Sequence, residues 1–151
     1  MIVTFSGHMK IKIKDVVREK LFETLKNLDS SNQIVFYLSV YGDFNKIARE
    51  CCEKYKKEIN QNVKLVFITP YLFDNSLNNS NFEGFDEVIN PECENVHTLY
   101  RLSPKCIWMA DKADVLIAYV NSSLGGAADM LRYMLRKGNK TCINIGNYGI
   151  C

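Results

Sequence analysis

The sequence predicts an α/β domain: a mostly parallel sheet of about five main strands with helices packed on both faces. Three observations lead there. Short apolar runs recur at positions 2–5, 34–38, 64–68 and 115–120, each ended by polar residues, glycine or proline. Stretches with apolar residues at helical spacing alternate with them. The runs are apolar at consecutive rather than alternate positions, which suits strands covered on both sides and hence a three-layer sandwich.

Ile2, Val3 and Phe5 make the first strand, which leaves through a turn at Ser6-Gly7-His8. Val16, Val17, Leu21, Leu25 and Leu28, with Lys, Arg and Glu between them, give an amphipathic helix over about 15–28. Asp29-Ser30-Ser31-Asn32 breaks that pattern, and the second strand, 34–38, ends in a polar loop at Ser39-Val40-Tyr41-Gly42-Asp43. A second helix over about 44–59 leads to the third strand, 64–68, which stops at Thr69-Pro70. Residues 74–84 are rich in Asn and Ser without periodicity and read as a long loop, and 85–89 as a short strand. Ser103-Pro104 suits a helix start with proline in its first turn, running through Trp108 and Met109 to about Lys112. The clearest strand, 115–120, is followed by a helix over about 126–136, a stop at Gly138-Asn139 and a last strand over 142–145. Trp108 and Met109 are read as core. The whole is a Rossmann-like arrangement in one domain spanning residues 1–151.

Composition narrows the function. With 47% hydrophobic residues in 151 there is material for a full core, and a net charge of +2 from 19 basic and 17 acidic side chains gives no broad field for nucleic acid or an anionic membrane. No apolar run reaches the ~18 to 20 residues of a membrane span, and no leader pattern opens the chain, so a cytoplasmic protein is expected. Cys51, Cys52, Cys93, Cys106, Cys142 and Cys151 lack the spacing of zinc or disulfide frameworks, and read as reduced thiols, several of them core residues. Neither a metal nor a resident cofactor is expected.

In open parallel sheets ligands sit beyond the carboxyl ends of the strands, where the strand order reverses. Four exits collect on that edge, and they supply the candidates: Gly7 and His8; Tyr41, Gly42 and Asp43; Pro70 and Tyr71; and Asn121, Ser122, Ser123, Gly125 and Gly126. Gly125-Gly126 opens a helix, so its amides either cradle a phosphate or only turn the chain tightly. His8 is either an acid, base or phosphate donor, or a turn residue satisfied by the backbone. Tyr71 either stacks on a base or packs on the rim. Asp129, four residues past Gly125, either holds or attacks a ribose or serves the helix dipole. Lys105 brings a cation to the rim.

The segments "TFSGH", "PYL", "FDEVINPECE", "WMADKADVLIAYVNSSLGGAADML" and "KGNKTCINI", in that order, carry a resemblance that covers most of the chain. It resembles the SLOG superfamily, a Rossmann-like group related to the Lonely Guy phosphoribohydrolases, and within it a small stand-alone bacterial branch. The resemblance implies binding of a nucleotide-derived small molecule, such as an ADP-ribose-like compound or a nucleoside phosphate. Related groups cleave or transfer N-glycosidic bonds with a glutamate after a glycine-threonine turn; here Asp129 and Gly126 stand in those places. The family's T-G-H-R reads Ser6-Gly7-His8-Met9, its G-G-x-G-x-F-D reads Ser39 to Asn45, and its Arg-Asn pair reads Lys105-Cys106. These departures imply sensing or sequestration in place of turnover, with an N-glycosidase or deoxyribosyltransferase as the alternative and a partner-binding protein with a relic pocket as the third reading. By analogy with related folds, helices flanking this edge are expected to pair two copies into a homodimer.

Overall fold

The structure, a computed structural model, describes residues 1–69, 83–91 and 102–148. Among the described residues six strands and four helices follow in the order β1 (Ile2–Gly7), α1 (Lys14–Lys26), β2 (Val35–Leu38), α2 (Asp43–Glu58), β3 (Lys64–Ile68), β4 (Glu87–Ile89), α3 (Pro104–Lys112), β5 (Val115–Tyr119), α4 (Gly126–Lys137) and β6 (Thr141–Asn144). All strand pairs are parallel, and the sheet order is β4-β3-β2-β1-β5-β6. The expected Rossmann-like sandwich is therefore present, with the short strand β4 bringing the sheet to six. Most of the Asn-rich loop expected at 74–84 lies outside the described residues, as do Cys93 and Cys151.

The period-two geometry of the strands sorts their side chains into two cores. Val3, Phe5, Val115, Ile117 and Tyr119 face α1 and α2, where Val17, Leu21, Leu25, Phe44, Ile47 and Tyr55 meet them. Leu116, Ala118 and Val120 face the other way, onto Met109 and Ala110 of α3 and Ala127, Ala128, Leu131 and Met134 of α4. All five residues of β5 are buried, which is why this run is apolar at every position. Cys51 and Cys52 fill the α2 side of the first core, and burial pushes the Cys51 thiol up to about 11. They are inert packing groups. Trp108 lies half-buried, stacked on Tyr37 with ring centroids 5.6 Å apart, while Met109 is fully inside.

One boundary differs from the sequence reading in a way that matters for the site. Ser6 and Gly7 are not a turn; they continue β1 and pair with Ala118 and Tyr119 of β5. Gly7 is needed there because a Cβ would lie 2.2 Å from Cγ of Phe44, the buried aromatic near the start of α2. The Phe44 ring also stacks on Tyr119, with centroids 6.0 Å apart. The absence of one side-chain atom thus lets α2 close down on the end of the sheet.

Strand order reverses between β1 and β5. The chain moves from β1 through β2 and β3 to β4 in one direction, then returns to lay β5 and β6 on the other side of β1. Helix α1 leaves β1 on one face and α4 leaves β5 on the other, so the two connections part at this point, the place where ligands sit in open parallel sheets.

Gly7→Ala should destabilise the fold by about 1 to 3 kcal/mol, the usual range for overpacking a filled core. Urea unfolding measures it; an unchanged midpoint would show that the Phe44 ring can step aside.

Candidate functional site

The edge at this reversal is built from three connections. From β1 comes His8, whose Nε2 accepts the Asn121 N–H at 2.8 Å and whose ring meets Tyr119 edge-on with centroids 5.7 Å apart. Because Nε2 accepts, the ring proton sits on Nδ1. His8 and Asn121, both expected at the ligand edge, are thus bonded directly to one another across the strand reversal.

From β5 comes the turn Asn121 to Gly125, exposed throughout. Gly125 is the N-cap of α4 with φ +101°, in the region that favours glycine, and no side chain caps this helix. Among the described residues the N–H groups of Gly126, Ala127 and Ala128 have no acceptor, and the first bonded amide is Asp129 N–H to Gly125 C=O at 3.1 Å. By contrast, the first turn of α3 is closed by Ser103 Oγ, which accepts the Cys106 N–H at 3.2 Å. Three unpaired donors at an exposed, glycine-made helix N-terminus form a place where an anion gains both hydrogen bonds and the macrodipole field, about half a positive charge.

The turn is held in shape by its own helix. Arg132 donates to the Ser123 C=O from both terminal guanidinium nitrogens, at 3.0 and 2.6 Å, and also to Asp129 Oδ1 at 3.4 Å. Ser122 Oγ donates to the Leu124 C=O at 3.3 Å. Asp129 does sit on the side of α4 that carries the turn, but beside a cation that offsets its charge. Arg132 was not read from the sequence; its position one helical turn after Asp129 was the available signal.

From β2 comes the third wall. Gly42 caps α2 with φ +84°, and Asp43, expected at the ligand edge, is taken up in closing the β1–α1 loop. Its N–H donates to the Met9 C=O at 2.8 Å, and its carboxylate accepts the Ile11 N–H at 2.9 Å with Lys14 at 3.8 Å. Asn45 Nδ2 donates to the Tyr41 C=O at 2.6 Å, and the Tyr41 ring is half open to solvent. Lys105 reaches over from the first turn of α3. Its ammonium donates to Ser39 Oγ at 3.1 Å and lies 5.9 Å from the Tyr41 ring centroid. Burial pulls its pKa below the ordinary lysine value, and among the described residues it forms no ion pair with a carboxylate. With β1 between them, the exits of β2 and β5 are two strand spacings apart, roughly 10 Å. Pro70 and Tyr71 lie outside the described residues.

Among the described residues, no group of three or more His, Cys, Asp or Glu is placed to hold a metal ion, and no helix is long and apolar enough to cross a membrane. No protein-family model matches the chain, and no curated protein matches it.

Gly126 has an ordinary φ and open space where a Cβ would stand. Gly126→Asp should therefore change stability by less than about 0.5 kcal/mol while placing a carboxylate among the free amides. Calorimetry with ADP-ribose should show binding lost in a protein with an unaltered melting curve; retained affinity would remove the anion site from the α4 turn.

Proposed function

We propose that this chain is a SLOG-like ligand-binding module that captures a nucleotide-derived molecule carrying phosphate, for sensing or sequestration. One observation carries the reading: the uncapped N-terminus of α4, with three unpaired amides, opens at the point where strand order reverses between β1 and β5. Phosphate or pyrophosphate oxygens suit these donors, since each accepts strongly and carries the charge the helix dipole favours. The ammonium of Lys105 and the exposed ring of Tyr41, one strand beyond β1, give the rest of the molecule a cation and an apolar surface. Gly7, Asn121, Ser122, Ser123 and Gly125 shape the floor and rim, and Asp129 anchors Arg132 on the turn.

Binding is favoured over turnover by the state of Asp129. A carboxylate that attacks an anomeric carbon, or stabilises an oxocarbenium-like centre, has to present a charged oxygen to the sugar. Here Arg132 shares that charge at 3.4 Å and fixes Oδ1 toward the turn. The glycosidase reading therefore makes a different forecast for the same experiment.

Incubation with a panel of nucleoside phosphates and ADP-ribose, followed by thermal denaturation and chromatography of the supernatant, separates the three classes. The expected result is a raised melting temperature with no free base released, in the parent and in Asp129→Asn alike. Base released by the parent and not by Asp129→Asn would establish the enzyme, and neither shift nor release would leave a partner-binding protein with a relic pocket.

A further inference from the structure

The last described segment of the chain is folded back against the exit of β5, not away from it. Asn144, the final residue of β6, uses all of its amide there. Its Oδ1 accepts the N–H groups of Val120 and Gly146, both at 3.0 Å, and its Nδ2 donates to the C=O groups of Val120 at 3.1 Å and Tyr148 at 2.7 Å. The Tyr148 N–H returns to the Val120 C=O at 3.0 Å, and the Asn147 N–H reaches Asn121 Oδ1 at 2.8 Å. Gly146 is pressed so closely on β5 that a Cβ would lie 2.4 Å from the Val120 oxygen. The half-buried Tyr148 ring packs on the second core and fastens the far end.

Val120 and Asn121 are the two residues through which β5 enters the α4 turn. Asn121 is gripped from both sides: its N–H by His8, its side-chain oxygen by Asn147. A side-chain amide with two donors and two acceptor sites all engaged is a stiff joint, because any displacement of β5 leaves several polar groups unpaired at once.

We infer that Asn144 is a positioning residue for the ligand turn, and that the segment 144–148 is a strap whose closure and ligand binding at α4 stabilise one another. This rests on the binding reading given above for its ligand-dependent half. Coupling between two sites is reciprocal, so a strap that orders the turn must itself be tightened by a ligand that touches only the turn. A merely structural role for Asn144 would lower stability without that reciprocity.

The test is amide hydrogen exchange on the full chain, with and without ADP-ribose, in the parent and in Asn144→Asp. The replacement keeps shape and both acceptors but sets a carboxylate against the Val120 and Tyr148 carbonyls. In the ligand-free parent the amides of Asn121, Gly146 and Tyr148 should open as one unit with a common protection, and ADP-ribose should slow the exchange of Gly146 and Tyr148. In Asn144→Asp the Asn121 amide should exchange faster while Val3 and Phe5 in β1 hold, with affinity for ADP-ribose lower by about tenfold.

Independent opening of Asn121 and the strap amides in the parent would overturn the inference even if Asn144→Asp does not fold. So would tail amides that ADP-ribose binding leaves unchanged, or a variant that keeps both its affinity and its Asn121 protection. If the parent binds no ADP-ribose, the binding reading loses that support, and the ligand-free exchange alone decides whether the strap and the turn are one unit.

Discussion

The hydrogen bond from the Asn121 amide to His8 Nε2 joins the ends of β1 and β5, neighbouring strands whose following helices lie on opposite faces of the sheet. Such a junction has no helix to fill it, because each connection turns away from the other. Left to itself, the edge would consist of two divergent loops with unpaired backbone groups. The imidazole spans that gap, and the Tyr119 ring beneath it fixes its plane. The position of the α4 N-terminus follows from this bridge, since Asn121 begins the turn that ends in Gly125.

The bridge in turn depends on close packing below it. Gly7 has to lack a side chain so that Phe44 can lie against the sheet, and Phe44 then supports Tyr119, which supports His8. Asp43 locks the start of α2 to the β1–α1 loop through one amide and one carboxylate. Gly7, His8 and Asp43 look like ligand groups in a sequence because they are polar or glycine at strand exits. Asp43 shows in the structure that a strand exit also needs its own internal bonds, and that such residues are drawn into them.

How much was legible follows from what kind of signal each feature left. Strands buried on both faces announce themselves as continuous apolar runs, and helices as stripes, so the layers and their order along the chain could be read directly. Gly125 and Gly126, at the start of α4, could be placed at the exit of β5 by the same logic. Three features could not. The extension of β1 through Ser6 and Gly7 depends on pairing with residues more than a hundred positions away. The closing of the turn by Arg132 depends on a rotamer, and the amide joint at Asn144 on the path of the chain after β6. Polar residues that satisfy distant backbone groups carry no periodicity, and a sequence shows only that they are polar.

The candidate site is therefore defined less by conspicuous chemical groups than by donors left without acceptors at an exposed glycine turn, directly after a strand exit that is closely hydrogen-bonded. That is the property a phosphate-bearing ligand would use, and it can be examined without a rate measurement. A crystal structure of the protein with ADP-ribose tests it most directly. The expected result is a phosphate oxygen within about 3 Å of the Gly126 and Ala127 nitrogens, above the His8–Asn121 bridge. A molecule lodged instead in the groove between α1 and α2, against Arg18, Phe22 and Lys54, would contradict it.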